Sequence, residues 1–311
     1  MKYKIGTRGS PLSLAQTNWV ISELKKKSPQ TEFEIVTIKT KGDTDARPLF
    51  TINQKGIFEK EIDRAVAENK VDFAVHSLKD VPSELPDDLV LACIPKREAA
   101  NDIFISKDNS TLETIKKGST VGTSSLRRAV QISRIRPDLV VKPIRGNIET
   151  RIRKLQEDEF DGLVLAQAGI ARLGISVKFE KLSTKDFPPS PGQGAIAIVS
   201  RKDNHSLMDM LEKIEDPDSR AAVEAERSLS LFVDSGCRFP VGALAQIKGD
   251  KLALDVTVYS IDGQKSINVE KIGDPLQAAE LGKQAATELS QQGIAELAKN
   301  WREKVEEWNK K

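Results

Sequence analysis

The chain has 311 residues, enough for two or three domains, and its 39% of apolar residues can form ordinary cores. The 48 basic and 46 acidic residues leave a formal charge of +2, which argues against a global nucleic-acid-binding field. Two cysteines and two histidines, without ligand spacing, indicate neither a structural zinc site nor a disulfide framework. Without a signal-peptide core or the roughly 18 apolar residues of a membrane span, we expect a cytoplasmic protein.

Strand and helix patterns alternate through residues 1–100. Strands are predicted at residues 2–8, 33–41, 71–77 and 89–95. Amphipathic helices are predicted between them, at residues 12–27 and 57–69. This order predicts an α/β unit with a mostly parallel sheet.

A second unit of the same kind follows, and then a different one. Strands are predicted at residues 102–106, 119–124, 139–144 and 161–169, with helices at residues 126–135 and 148–158. The segment KDFPPSPGQG breaks this periodicity, and a buried strand and a helix follow at residues 195–200 and 206–214. Period-2 alternation over residues 242–273 predicts a three-stranded antiparallel sheet, covered by one or two helices.

Three stretches combine the end of a strand, the start of a helix and arginine. They are TRGSPLSLAQ (7–16), VGTSSLRRAV (121–130) and IRGNIETR (144–151). Backbone N–H groups at a helix start attract anions, and guanidinium groups fit carboxylate or phosphate. Simple helix capping and a solvated basic turn are the alternatives. The arginines at such positions predict a polyanionic small-molecule ligand in a cleft, and they are Arg8, Arg127, Arg128, Arg145, Arg151 and Arg172.

The segment FAVHSLKDVP (73–82) follows the same logic with an acid among the cations. An apolar strand delivers His76, Ser77, Lys79 and Asp80 at its C-terminal end, where α/β active sites gather. Lys79 and Asp80 could form only a surface ion pair, and we interpret His76 as a packed histidine. The functional hypothesis is that Asp80 stabilises a cation or moves a proton.

Together these stretches closely resemble the porphobilinogen deaminase family. The matching segments occur in the family's order over residues 7–243, and they are TRGSPLSLAQ, KGIFEKEI, HSLKDVP, GTSSLRR, RGNIETR, GQGA and GCRFPVGA. The resemblance implies two periplasmic-binding-protein-like α/β domains with a hinge near residues 95–101 and 188–195, plus a small C-terminal α+β domain. The implied domain limits are 1–96 with 194–214, 100–190, and 217–311.

The resemblance also implies the reaction. Four porphobilinogen molecules are joined head to tail with release of ammonia, which gives the linear tetrapyrrole hydroxymethylbilane of haem biosynthesis. The chain grows on a dipyrromethane cofactor held by a thioether to cysteine. Each pyrrole carries an acetate and a propionate, which accounts for the arginines. The family further implies a monomer with no metal, nucleic-acid or membrane partner.

By the same resemblance, Asp80 matches the catalytic aspartate and Cys237 the cofactor attachment. Gly236 allows close approach to Cys237, and Arg238 favours its thiolate, whereas Cys93 is interpreted as buried packing. The remaining matches are expected to bind carboxylates of cofactor, substrate or chain, or to lie beside the cleft. They are Arg8, Ser10, Gln16, Lys55, Ser77, Lys79, Thr123, Ser125, Arg127, Arg128, Arg145, Arg151, Arg172 and Gln193.

The sequence departs from the family pattern in a loop expected over the active site. TINQKG stands where a glycine loop with two lysines is common, so Thr51 replaces the first lysine while Lys55 remains. The preceding segment, residues 42–50, is shorter than usual. Two other classes of function are alternatives for a chain with these anion-binding motifs. A solute-binding module would need no reactive cysteine or cleft aspartate, and a phosphate-ester enzyme would need a metal or an activated nucleophile.

Overall fold

The computed structural model describes residues 2–40, 59–233 and 240–297. These residues form three β-sheets with helices packed on them. The strands, in chain order, are β1 (Lys2–Thr7), β2 (Glu32–Thr37), β3 (Phe73–Ser77), β4 (Leu89–Cys93), β5 (Asp102–Ser106), β6 (Thr120–Thr123), β7 (Val140–Pro143), β8 (Gly162–Ala166), β9 (Glu180–Lys181), β10 (Ile196–Arg201), β11 (Val241–Lys248), β12 (Lys251–Tyr259) and β13 (Ser266–Gly273).

Helices connect most of these strands. The α-helices are α1 (Pro11–Lys27), α2 (Lys60–Ala67), α3 (Leu126–Ile135), α4 (Ile148–Gln156), α5 (Gln167–Leu173), α6 (His205–Leu211), α7 (Pro217–Val233), α8 (Ala278–Gln291) and α9 (Ile294–Leu297). One-turn 3₁₀ helices occur at Leu78–Asp80, Glu212–Ile214 and Pro275–Gln277. The predicted strand over residues 161–169 is too long, because it ends at Ala166 and Gln167 begins α5.

The two five-stranded sheets have the same layout. Their strand orders are β2-β1-β3-β10-β4 and β7-β6-β8-β5-β9. In each sheet one strand, β10 or β5, is antiparallel to both of its neighbours, and the other strands run in a common direction. The predicted mostly parallel sheets and the two-lobed α/β fold class are therefore confirmed. We call the two sheets with their helices the first and the second lobe.

The chain passes between the lobes twice, through residues 94–101 and 182–195. These crossovers lie against each other, since the Glu98 N–H donates to the Gly194 carbonyl at 3.1 Å. Gly194 has φ +87°, and a Cβ there would overlap the Glu98 carbonyl, so the contact requires glycine. The predicted hinge segments fall within these crossovers. The predicted domain limits are compatible with the sheet membership and stay a prediction.

The third sheet is the predicted antiparallel one, in the order β11-β12-β13. Its core includes Ala225 and Leu229 of α7 together with Leu254 and Ala285. Helix α7 has no counterpart among the elements predicted from the sequence. A helix start signal was present, because Asp216 precedes Pro217 at the first helical position and its side chain accepts from the Ser219 N–H at 2.8 Å.

A buried carboxylate joins α7 to both crossovers. Glu226 is fully buried, and its carboxylate accepts hydrogen bonds from Arg97 at 2.7 and 3.1 Å. It also accepts from the backbone N–H groups of Gly192 at 2.6 Å and Ala245 at 2.7 Å. A buried charge is tolerated when it is paired and hydrogen-bonded in this way. Glu226 therefore fastens the third domain to the connections between the lobes.

Two packing predictions are confirmed. His76 is 5% exposed, and its Nε2 lies 3.0 Å from Oδ1 of the buried Asp63 on α2. Cys93 is fully buried in the core of the first lobe, and burial raises the pKa of its thiol. Neither side chain belongs to the cleft lining described below.

Candidate active site

A cavity of about 640 Å³ lies between the two lobes, within the usual size of a small-molecule site. Residues at the C-terminal ends of β1, β3, β6, β7 and β8 line it, together with the second crossover. The structure thus brings most of the predicted site residues to one surface. They are Arg8, Ser10, Gln16, Ser77, Lys79, Asp80, Ser125, Arg127, Arg128, Arg145, Arg151, Arg172 and Gln193.

The first lobe presents the start of α1 and the end of β3. Ser10 caps α1, because its Oγ accepts from the Ser13 N–H at 3.3 Å, and Pro11 occupies the first helical position. The Gln16 amide donates to the Ser77 hydroxyl at 2.8 Å and so joins α1 to β3. These contacts hold the start of α1, the positive end of its helix dipole, at the cleft.

Lys79 and Asp80 project from a single turn, Leu78–Asp80, directly after β3. The Leu78 N–H donates to the Ala195 carbonyl at 3.0 Å, and the Val81 N–H closes the turn onto the Leu78 carbonyl at 2.9 Å. Leu78 and Val81 are buried, whereas Lys79 and Asp80 are exposed to the cleft. The apolar residues of the turn therefore direct the cation and the carboxylate toward the cavity. We call residues 78–83 the Asp80 turn.

Enclosure by both lobes affects the charges on this turn. Water reaches the Lys79 side chain, yet desolvation in the cleft and then the Arg128 charge lower its pKa to about 8, against the opposing charge of Asp80. Asp80 also acts on Arg151 across the cleft, where it favours the charged guanidinium. The carboxylate of the first lobe is thus electrostatically coupled to cations of both lobes.

The second lobe supplies arginines beside two capped helix starts. Ser125 caps α3, and Asn147 caps α4 by accepting from the Thr150 N–H at 2.8 Å. Desolvation, then Arg128 and Arg145, lower the pKa of Arg151 to about 10. Desolvation likewise lowers the pKa of Arg172 to about 10. Like charges held close together in a partly enclosed space favour an anionic ligand, which would relieve both effects.

Arg127 and Arg128 are anchored by Asp102, a fully buried residue that the sequence analysis did not identify. Arg127 Nη2 donates to Asp102 Oδ2 at 2.7 Å, and Arg128 Nη2 donates to Oδ1 at 2.7 Å. The Gln193 amide donates to the same Oδ1 at 2.8 Å. Burial alone would raise the pKa of Asp102, but the two guanidinium groups outweigh it and lower the pKa to about 2. One carboxylate between two arginines leaves the cluster with a net positive charge.

The cavity is strongly cationic. Over the part of the chain that the structure describes, one carboxylate, Asp80, lines it. In the same ranges seven cationic side chains do so, and they are Arg8, Lys79, Arg127, Arg128, Arg145, Arg151 and Arg172. This imbalance stands out in a chain whose formal charge is only +2. The cleft is therefore the electrostatic complement of a polyanion.

Three predicted site residues are absent from this cavity lining. One is buried behind it, and the other two lie outside the described residues. Thr123 is fully buried, and its hydroxyl accepts from the Ser125 N–H at 3.2 Å, so it orders the turn behind the cavity wall. Lys55 and Cys237 lie outside the described residues, as do Thr51 and the segment 42–50.

Within residues 2–40, 59–233 and 240–297, no helix is both long and apolar enough to cross a membrane.

The fold and the cleft define a two-lobed α/β protein with a strongly cationic cavity between its lobes. A family model described as "Porphobilinogen deaminase, dipyromethane cofactor binding domain" matches residues 3–209, and another described as "Porphobilinogen deaminase, C-terminal domain" matches residues 220–291. The chain therefore belongs to the porphobilinogen deaminase family. This confirms the predicted family, its transferase activity and its dipyrromethane cofactor.

Curated relatives agree along the whole chain. The probable porphobilinogen deaminase of Nitrosopumilus maritimus (strain SCM1) is 67% identical over 310 residues, which cover 100% of both chains. The porphobilinogen deaminase of Desulforamulus reducens is 41% identical over 301 residues, covering 94% of this chain and 96% of the relative. That of Oceanobacillus iheyensis is 42% identical over 309 residues, covering 98% and 99%.

Two solved structures with a similar fold are more distant from this chain. A probable amino-acid ABC transporter extracellular-binding protein from Bacillus subtilis has a TM-score of 0.41 and 14% identity, covering 69% of this chain and 90% of that chain. A Salmonella typhimurium periplasmic binding protein with high arginine specificity has a TM-score of 0.39 and 14% identity, covering 68% and 91%. Neither similarity bears on the ligand of this protein.

Proposed function

We propose that the cleft between the lobes is the site of porphobilinogen polymerisation, with Asp80 acting on the reacting pyrrole and the surrounding cations binding its acidic arms. The observation that carries this proposal is that, among the described residues, one carboxylate and seven cationic side chains line one cavity. The substrate has matching chemistry, since each pyrrole carries an acetate and a propionate. Each ring added therefore brings two negative charges into the cationic cleft.

The donor set fits a bound dipyrromethane. Its two rings would carry four carboxylates, and the cavity of about 640 Å³ offers arginines on both lobes as well as three capped helix starts. Guanidinium forks bind carboxylates in two parallel hydrogen bonds, which orients each ring as well as holding it. We assign Arg8 and Lys79 to this task on the first lobe, and Arg145, Arg151 and Arg172 on the second.

We further propose that Cys237 holds the cofactor through a thioether. Val233 ends α7 and Val241 begins β11, so both flank the segment that contains this cysteine. Both valines line a smaller cavity of about 220 Å³, to which Lys79 and Gly192 also contribute, as they do to the main cleft. Cys237 is four residues from each valine in sequence, and a residue spans at most about 3.5 Å, so the covalent chain can reach at most about 14 Å from either valine. That reach is compatible with attachment close to the Asp80 turn.

The reaction requires a negative charge beside the pyrrole. When bound, the cofactor supplies the pyrrole carbon to which the first substrate is joined. Loss of ammonia from porphobilinogen leaves a cationic electrophile, and the Asp80 carboxylate stabilises it. At a separation of about 4 Å and an effective dielectric near 20, such an interaction is on the order of 4 kcal/mol. Asp80 also accepts a hydrogen bond from the pyrrole N–H and assists removal of the ring proton after coupling.

The neighbouring cations have a different task in this scheme. Arg151 and Lys79 keep the acidic arms in place, so the reacting carbon stays within contact distance of the preceding ring. The anchored pair of Arg127 and Arg128 provides a fixed positive surface that does not rearrange when a ligand binds. We propose that the working unit is a monomer and that its compartment is the cytoplasm.

The test uses the purified full-length protein with porphobilinogen. Ammonia release should accompany formation of the linear tetrapyrrole, and the intact mass should exceed the polypeptide mass by two porphobilinogen-derived rings. Cys237→Ser should lose both the added mass and turnover while remaining folded. The control is Cys93→Ala, which removes the buried cysteine of the first lobe and should keep the added mass. Normal turnover by the Cys237→Ser protein would contradict the assignment.

A further inference from the structure

The Asp80 turn is held at its beginning by the second crossover and closes onto itself in its middle. The Leu78 N–H is bonded to the Ala195 carbonyl, and the turn closes onto itself through Val81. After Val81 the chain continues through Pro82, which has no N–H, and neither Pro82 nor Ser83 lies in a helix or strand. Contacts from another element contribute to the position of this part of the turn.

That element is α7 of the third domain. Its Val223 is fully buried in the cluster that contains Leu78 and Val81. Arg227 follows four residues later and thus lies on the same face of the helix. Arg227 Nη2 donates to the carbonyls of both Pro82 and Ser83, each at 2.9 Å. One helix face therefore contacts the Asp80 turn through a buried valine and a cation.

The helix itself is firmly placed. Glu226, the residue before Arg227, is bonded to Arg97 and to the Gly192 N–H on the two crossovers. Arg227 is partly buried, and desolvation lowers the pKa of its guanidinium. Loss of this side chain would leave two backbone carbonyls at a partly enclosed interface without their donor, so the turn would be free to shift.

We propose that Arg227 is a positioning residue for Asp80, which it holds in place from the third domain through the Pro82 and Ser83 carbonyls. This inference rests on the proposed role of Asp80. It explains how the Asp80 carboxylate keeps a fixed position in a cleft that is formed where two lobes and a third domain meet. The helix that carries Arg227 ends at Val233, directly before the segment with Cys237. A single rigid element thus connects the carboxylate with the cofactor-bearing segment.

The experiment compares Arg227→Gln, Arg227→Lys and wild type by steady-state ammonia release. A displacement of about 1 Å can cost about 100-fold in rate, so we expect kcat of the Gln variant to fall by about 10- to 100-fold. Because the arginines of the cleft are untouched, KM should stay within about threefold of wild type. Both hydrogen bonds come from one nitrogen, so a lysine ammonium can replace them and should restore most of kcat.

Arg220→Gln is the matched control for the loss of an arginine from α7. Arg220 donates to Glu215 at 2.6 Å and to the Leu91 carbonyl at 3.1 Å, and neither residue belongs to the Asp80 turn. We expect this variant to lower the urea midpoint without changing kcat. A wild-type kcat in Arg227→Gln, or an Arg227→Lys variant as slow as the Gln variant, would overturn the proposal.

A double variant separates this inference from the function on which it rests. If Arg227 acts through Asp80, adding Arg227→Gln to Asp80→Asn should slow single-turnover rates by no more than about threefold further. A further loss as large as that in the wild-type background would show that Arg227 acts independently. Normal turnover by Asp80→Asn alone would refute the proposed function, whereas a slow Asp80→Asn with a fast Arg227→Gln would refute only the positioning role.

Discussion

The first and second lobes share one strand layout but contribute different chemistry to the cleft. The first lobe places a carboxylate and a lysine on one turn after β3, where Leu78 and Val81 are buried and Lys79 and Asp80 face the cavity. The second lobe places arginines after β6, β7 and β8, and a buried carboxylate, Asp102, fixes two of them. The corresponding edges of the two sheets therefore carry different groups. The first lobe carries the proposed reaction group, and the second lobe carries the proposed anion-binding groups.

This difference shows how repeated architecture can separate binding from chemistry. Strand ends of an α/β sheet present side chains to a crevice, and the fold does not dictate which side chains these are. If the division is real, variants of Asp80 should mainly lower kcat, and variants of the second-lobe arginines should mainly raise KM. The predictions below test that division.

The largest effect is expected from Asp80→Asn, which keeps the shape of the side chain and removes its charge. We expect kcat to fall by about 10² to 10⁴, in the usual range for loss of a general acid or base, while KM changes little. Cofactor attachment, measured by intact mass, should persist better than turnover. Asp87→Asn is the control, since Asp87 is exposed on the same lobe. A loss of less than about tenfold would mean that Asp80 is not the principal group.

An intermediate effect is expected from Arg151→Gln on the second lobe. A hydrogen bond to a charged group contributes about 1.5–3 kcal/mol, so KM should rise by about 10- to 100-fold while kcat falls less. The control is Arg153→Gln on the same helix, because Arg153 is exposed and pairs with the exposed Glu157. Steady-state kinetics at fixed ionic strength checks both variants. A drop confined to kcat would place Arg151 with the first-lobe chemistry and remove the proposed division.

Much of the cleft could be predicted because its signals are local. Capping residues and arginines follow each strand within a few positions, so TRGSPLS, GTSSLRR and RGNIETR mark strand-to-helix junctions without any long-range information. Parallel strands then bring these junctions to one sheet edge. Thr123 shows the limit of this argument, because a hydroxyl at a junction can turn inward and order the backbone instead.

The anchoring residues could not be predicted in the same way. Asp102 begins a strand in NDIFIS, where an aspartate is typical of a turn, and its partners Arg127 and Gln193 lie far along the chain. Arg227 is similarly one of several charged residues on a helix, and only the packing of α7 on the Asp80 turn gives it a distinctive contact. Tertiary contacts of this kind follow from the assembled fold and leave no local pattern.

The smallest effect concerns pH and tests whether Lys79 belongs with the binding groups despite lying on the first lobe. Its pKa is lowered from 10.5 to about 8, so the cleft disfavours the protonated amine and an anionic ligand should favour it again. Lys79 is charged below about pH 8 and loses that charge above it. KM should therefore rise between pH 7 and pH 9, by at most about fivefold, since an ion pair open to water contributes about 1 kcal/mol or less.

KM is measured for wild type, Lys79→Met and Lys79→Arg at each pH. Titration of the substrate affects all three proteins alike, so the difference between them reports on Lys79. The Met variant should have a raised KM at pH 7 and should converge with wild type by pH 9, whereas the Arg variant keeps its charge throughout and should lack the rise. Arg151, with a pKa of about 10, stays charged over this range and does not contribute. A wild-type pH dependence that persists in Lys79→Met, together with an unchanged KM at pH 7, would show that Lys79 does not bind the acidic arms.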